Sequence, residues 1–268
     1  MCKFCYIPRP IINIPDNGMR ALSQKGSYWK NGEKLQIYLY PSSVPHRMDI
    51  AAVYSRWLKD TSLSFEFVSN PNISDIRIEY KAGGSWSYVG TDALVISKSK
   101  PTMQIGWAGR SVLYHEVGHS LGLLHEHQNP DGGIEWNENA VYDALSKPPN
   151  SWNRQQIEHN VLNAVNPATV DFTRFDTDSV MMYFFPDEWV ANGPGTHEND
   201  TPSVKDLEHI AGLYPKPVDN EVKEFVQDFP KIRILHASHL RYTASWLGLS
   251  TAGTKRDLIK RLRAYLDR

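Results

Sequence analysis

Between residues 115 and 126 the chain reads HEVGHSLGLLHE. On a helix, His115 and His119 are four residues apart and share one face, about 6 Å apart at the backbone, which suits two bonds of about 2 Å to a single Zn2+. Glu116 stands one position round the helix from the first imidazole. Its carboxylate can reach a water on the metal without being a ligand, which is the place of a base. A helix that ran on would carry His125 about 9 Å further along the axis than His119 and roughly 80° off the face of His115. Gly122 removes that obstacle, because a residue without a Cβ can take a positive φ and turn the chain back so that His125 supplies a third nitrogen. Three protein nitrogens leave one position of a tetrahedral ion open, the mark of a catalytic rather than a structural zinc, with water in the fourth place. The expected cofactor is one Zn2+ per chain.

These side chains need a rigid support, and the surrounding pattern provides one. Ser111–Leu124 reads as a helix without an internal proline, its apolar face formed by Val112, Leu113, Val117 and Leu121. Upstream, Leu35–Tyr40, Ser64–Val68, Asp75–Tyr80, Ala93–Ser97 and Thr102–Ile105 read as strands. Pro45–Asp60 places Ile50, Val53, Tyr54, Trp57 and Leu58 at helical spacing. Residues 1–33 read as an irregular leader. Downstream come helical stretches at 137–146 and 153–164, an irregular span over 170–202 and a helix over Ser203–Leu213. Pro215 and Pro217 then mark a domain boundary.

The 268 residues, 41% of them hydrophobic and with a net charge of −1, suit one large domain or a large one with a small appendage, and exclude a fibre or a disordered tail. The whole molecule has no field that would select nucleic acid or membrane, but its charge is uneven. Residues 221–268 hold 10 Lys+Arg and 5 Asp+Glu, against 19 and 25 in residues 1–220, so a polyanion would meet the C-terminus. The two cysteines, Cys2 and Cys5, build no disulfide framework. Pro8, Arg9, Pro10 and Pro15 break any apolar run in the first residues, so no signal peptide is recognisable, and no stretch is apolar enough to span a membrane. The compartment stays open, either intracellular or reached by a non-classical route of export. The sequence does not give an oligomeric state. The sequons at Asn72 and Asn199 decide nothing about secretion.

With these residues in view, the sequence resembles a known family. HExxHxxGxxH is the metzincin signature, and Glu126 directly after it is similar to the astacin branch of zinc metallopeptidases. The run SVMMY at 179–183 resembles that family's Met-turn, with Met181 as the methionine beneath the metal and Tyr183 as the tyrosine that approaches it. Tyr28–Trp29, GSWSYVG at 84–90, HEHQNP at 125–130 and LYP at 213–215 extend the likeness over about 21–217.

The resemblance implies an α+β zincin of metzincin type, with a twisted mixed sheet and two long helices. It implies peptide-bond hydrolysis of a polypeptide substrate, Glu116 as general base and Tyr183 as hydrogen-bond donor to the developing oxyanion. A strand between Trp86 and Ile105 would edge the cleft and receive an extended peptide. The chain departs from the family pattern in carrying Met182 where histidine is usual, Ser85 in place of a disulfide cysteine, and none of the family's disulfides. Family members are usually made with a blocking pro-segment. Residues 1–20 are therefore expected to be removed after Arg20, with the new N-terminus buried near Glu126, and N-terminal sequencing of active protein checks this. In a rival version Cys2 or Cys5 blocks the zinc as a thiolate, which thiol-dependent activation would reveal.

Residues 218–268 form the expected appendage. Leu240, Ala244 and Leu247 give one helix face, and Leu258, Ile259 and Leu262 give a second beside Lys255, Arg256, Lys260, Arg261 and Arg263. Gly248 and Gly253 bracket the connection. The run LGLSTAGTKRDLIKRL resembles a SAP motif, a helix-loop-helix module that binds DNA in many proteins, which implies DNA as a candidate partner of those five basic residues. An alternative to a free-standing protease is therefore a DNA-associated binding protein, or a protease restricted to DNA-bound proteins.

Overall fold

The computed structural model describes residues 23–216 apart from 108, 149 and 173, together with 240, 241, 244 and 249–266. The leader 1–20 with Cys2 and Cys5, the expected boundary at 217 and the positions Leu247 and Gly248 lie outside the described residues.

The chain opens with β1 (Ser23–Gln24), β2 (Lys34–Leu39), α1 (Arg47–Leu58), β3 (Ser64–Val68), β4 (Ile76–Tyr80), β5 (Trp86–Ser87), β6 (Met103–Ile105) and α2 (Arg110–Ser120). Five strands form one mixed sheet in the order β3-β2-β4-β6-β5, with β5 antiparallel to β6 and the other pairs parallel. In β2 the period is two, so Leu35, Ile37 and Leu39 are buried while Gln36 and Tyr38 are not. The central strand β4 is covered on both faces, with Ile76, Arg77 and Ile78 all buried.

Two helices share the core with this sheet. Ile50, Val53, Tyr54, Trp57 and Leu58 of α1 join Leu113, Val117 and Leu121 and the strands in one apolar cluster. Polar links fix α1 to α2, with Trp57 Nε1 donating to the Tyr114 carbonyl at 3.1 Å and the Tyr54 hydroxyl bonding the Ser120 hydroxyl at 3.0 Å. The fold is α+β, as expected.

The structure corrects three details. Gly90–Val95 is a 3-10 helix, whereas Ala93–Ser97 had the look of a strand. Carbonyls of this helix and of the residues after it serve a side chain in place of a neighbouring strand: the buried Arg77 guanidinium donates to Ala93 O at 3.3 Å, Ile96 O at 3.2 Å and Lys100 O at 2.7 Å. Oriented carbonyl dipoles thus surround a charge that burial would otherwise penalise. Secondly, the leader and the 170–202 span are not wholly irregular, since β1 pairs antiparallel with β7 (Val170–Asp171). Thirdly, α2 ends at Ser120 and does not run to Leu124.

Beyond α2 lie α3 (Glu138–Leu145), α4 (Arg154–Ile157), which continues into a π turn over Glu158–Leu162, and α5 (Val204–Leu213). A second cluster of Val141, Leu145, Ile157, Val161, Met182, Tyr183, Phe185 and Trp189 underlies this part. Near the C-terminus α6 spans Lys255–Leu266, with Leu258, Ile259 and Leu262 buried as the pattern implied. Leu240 and Ala244 are helical and buried. Among the described residues no helix is long and apolar enough to cross a membrane.

Candidate metal centre

The first two imidazoles project from one face of α2, and the opposite face of that helix is locked into the core by Leu113 and Val117. The His115 and His119 rings are 4.7 Å apart and nearly perpendicular. Each ring is aimed by its other nitrogen. His115 Nδ1–H donates to Val180 O at 2.8 Å and His119 Nδ1–H to Leu123 O at 2.8 Å, which places the lone pair of each ring on Nε2.

Gly122 does what the spacing demanded. Its φ is +101°, and the bonds Leu123 N–H to Gly118 O at 3.0 Å and Gly122 N–H to His119 O at 2.8 Å make a Schellman ending to α2. His125 follows in extended conformation, with φ −74° and ψ 125°, and its Nε2 lies 3.1 Å from that of His119. Ligand nitrogens of His115, His119 and His125 all lie within 4.8 Å of one another.

The donor set fits zinc. Burial holds His115 down at about 4 and His119 and His125 well below their ordinary range, with the neighbouring imidazoles adding to the effect on the last two. All three are therefore neutral near pH 7, the state in which imidazole ligates. Two nitrogens facing one another at 3.1 Å repel unless a cation or proton lies between them, and this separation is near the roughly 3.3 Å edge of a tetrahedron with bonds of about 2 Å.

Tyr183 and Met181 also reach this place. The Tyr183 hydroxyl is 2.6 Å from His125 Nε2, and its ring stacks on His115 at 5.5 Å. Met181 is buried in the main core beside α1 and α2. Met182 packs in the second cluster, so the departure from histidine there places an apolar side chain among apolar neighbours. Glu116 is wholly buried within α2. Behind the third histidine, Glu126 Oε1 accepts from Asn129 Nδ2 and from the Asp176 backbone N–H, both at 2.9 Å, while burial pushes its carboxyl up to about 8.

Sequence reasoning missed two residues. His127 is buried, donates from Nε2 to Asn160 O at 3.0 Å and stacks on both His125 and Tyr183. The HEH at 125–127 was its only signal. Asp206 on α5 accepts from the Ser179 hydroxyl at 2.6 Å, from Val180 N–H at 2.9 Å and from Ser203 N–H at 3.0 Å, so it clamps the 179–183 turn. Its signal, the S-x-x-D box at 203–206, announces a helix start and not a distant clamp.

The basic residues near the C-terminus divide. Arg256 and Lys260 are exposed on α6, Lys255 and Arg263 are half-buried, and the Arg261 guanidinium donates to the carbonyls of Ser250 and Ala252 in the preceding loop.

The sequence profile of the peptidase family described as Astacin matches residues 21–188. Zinc metalloproteinase nas-38 of Caenorhabditis elegans is 29% identical over 180 residues, 64% of this chain and 21% of the relative. Karilysin of Tannerella forsythia is 27% identical over 157 residues, 48% of this chain and 33% of the relative. This chain thus spans a third or less of the length of these curated relatives. Among solved structures, that of myroilysin superposes with a TM-score of 0.70 at 29% identity, covering 74% of this chain and all of that one.

Proposed function

The chain belongs to the astacin family of zinc metallopeptidases, and from that premise we propose that it is an endopeptidase in which Glu116 is the general base and Tyr183 the oxyanion donor. The observation that carries this reading is the convergence of three buried imidazoles on one point with the Tyr183 hydroxyl beside them. His115, His119 and His125 would hold the ion. When bound, zinc supplies a Lewis acid that polarises a peptide carbonyl and brings water toward a pKa of about 7.

The protein's own groups then do the rest. Glu116 takes the proton of the attacking water and passes it to the leaving amine. The Tyr183 phenol, whose hydroxyl stands beside His125 Nε2, donates its O–H to the oxyanion that develops on the carbonyl. β5 is last in its sheet, so an extended polypeptide can add along its outer edge, which favours cutting within a chain over trimming its ends. Casein hydrolysis tests the assignment of the base. Glu116→Ala is expected to keep its zinc and lose hydrolysis, and residual activity near wild type would refute it.

The exposed Arg256 and Lys260, one turn apart on α6, favour a second reading in which the module at 218–268 directs the enzyme to DNA. Salt-sensitive retention on DNA should then vanish when 218–268 is deleted. Identical retention without the tail dismisses it.

A further inference from the structure

Position 118, between the two ligand histidines of α2, is a glycine. A glycine inside a helix is less favourable than alanine, so a specific need must keep the methyl away. The backbone is not that need, because position 118 lies within regular helix. Space is. A Cβ there would fall 2.5 Å from Met181 Sδ, 3.3 Å from Met181 Cε and 3.2 Å from Trp57 Cζ2. Both neighbours are 1% exposed, and Trp57 is further held by its bond to the Tyr114 carbonyl. Of the two, the Met181 thioether is the part that would have to give way.

What Met181 carries with it is the metal site. The turn offers two consecutive carbonyls to the ligand set. Val180 O accepts from His115 Nδ1–H at 2.8 Å, and Met181 O accepts from the backbone N–H of Glu126 at 3.0 Å, the residue directly after His125. From the other side Asp206 fixes Ser179 and Val180, so the turn cannot retreat freely. A methyl at 118 would press on a segment bonded to one ligand ring and to the backbone beside another.

We propose that Gly118 is a positioning residue. Its missing side chain sets how closely the 179–183 turn seats against α2, and through Val180 O and Met181 O it sets the orientation of His115 and the placement of His125. The inference rests on the reading of the three histidines as a zinc site and adds a determinant of that site's affinity.

The test is zinc affinity measured by competition with a chelating dye, for wild type, Gly118→Ala, Met181→Ala and the double variant. Loss of a support behind a metal ligand typically weakens binding about 10–100-fold, and Gly118→Ala is expected to fall in that range. If the effect acts through the thioether it disappears once the thioether is gone, so the double variant should bind zinc within about twofold of Met181→Ala alone. Wild-type affinity in Gly118→Ala, or the same loss in both backgrounds, overturns the proposal. Should Gly118→Ala fail to fold, the comparison of Met181→Ala with the double variant decides alone, and a tenfold deficit in the double overturns it. A wild-type chain that takes up no zinc removes the functional reading and this inference with it. Normal uptake with an indifferent Gly118→Ala removes the inference only.

Discussion

The residues before the Gly122 turn and those after it depend to different degrees on backbone ladders and on single polar side chains. Before it, backbone ladders join five strands, and two amphipathic helices bury their apolar faces against them. After it, side chains bind backbone across irregular segments. Gln128 Nε2 reaches His159 O at 2.9 Å and Asn163 O at 2.8 Å, and Asn199 Nδ2 reaches Thr177 O at 2.8 Å and Ser179 O at 2.9 Å. Asp206 adds its clamp on the turn. The candidate site draws on both parts, taking two ligands from a regular helix and taking the third, with Tyr183, from segments that individual polar side chains fix. A ladder loses little when one side chain changes, whereas a segment tied by a single carboxylate depends on that carboxylate.

Three substitutions test this contrast, in descending order of effect. Asp206→Ala removes an acceptor shared by three donors in a buried place and should cost about 3–4 kcal/mol of unfolding free energy in urea. A cost below about 1 kcal/mol would mean that the turn is held by packing alone. Asn199→Ala deletes two bonds to carbonyls in a more exposed place, and about 1–2 kcal/mol is expected from the same titration. In the sheet, Lys34→Ala removes an exposed partner of Glu66 at 3.3 Å, and the change should stay under about 0.5 kcal/mol. If Lys34→Ala proved as damaging as Asn199→Ala, the distinction between the two parts would lose its basis.

The same contrast explains what could be read in the sequence. Short apolar-rich runs located β2 and β6, period-two alternation located β3 and β4, and helical spacing located α1, because each is a pattern contained in a short window. The metal group was legible for a stricter reason. The spacing of His115, His119, Gly122 and His125 admits few geometries, and the positive φ at Gly122 is the one it requires. Ala93–Ser97 misled because its continuous apolar run, Ala93 to Ile96, mimics a buried strand, while Arg77 on β4 is the partner of the Ala93 and Ile96 carbonyls. Asp206 lies on α5, 26 residues after the Val180 that it holds, and no local pattern links the two. His127 was hidden because an imidazole packed on its neighbours has no periodicity. Long-range bonds from single polar side chains leave no signature in a short window of sequence.

The central claim is that His115, His119 and His125 hold one zinc ion. Metal content of the purified chain tests it most directly, by elemental analysis of wild type and of His125→Ala after equilibration with zinc and removal of the excess. The account predicts one zinc per wild-type chain and a clear loss in the variant. Wild-type protein that carries no transition metal and takes up none would contradict it.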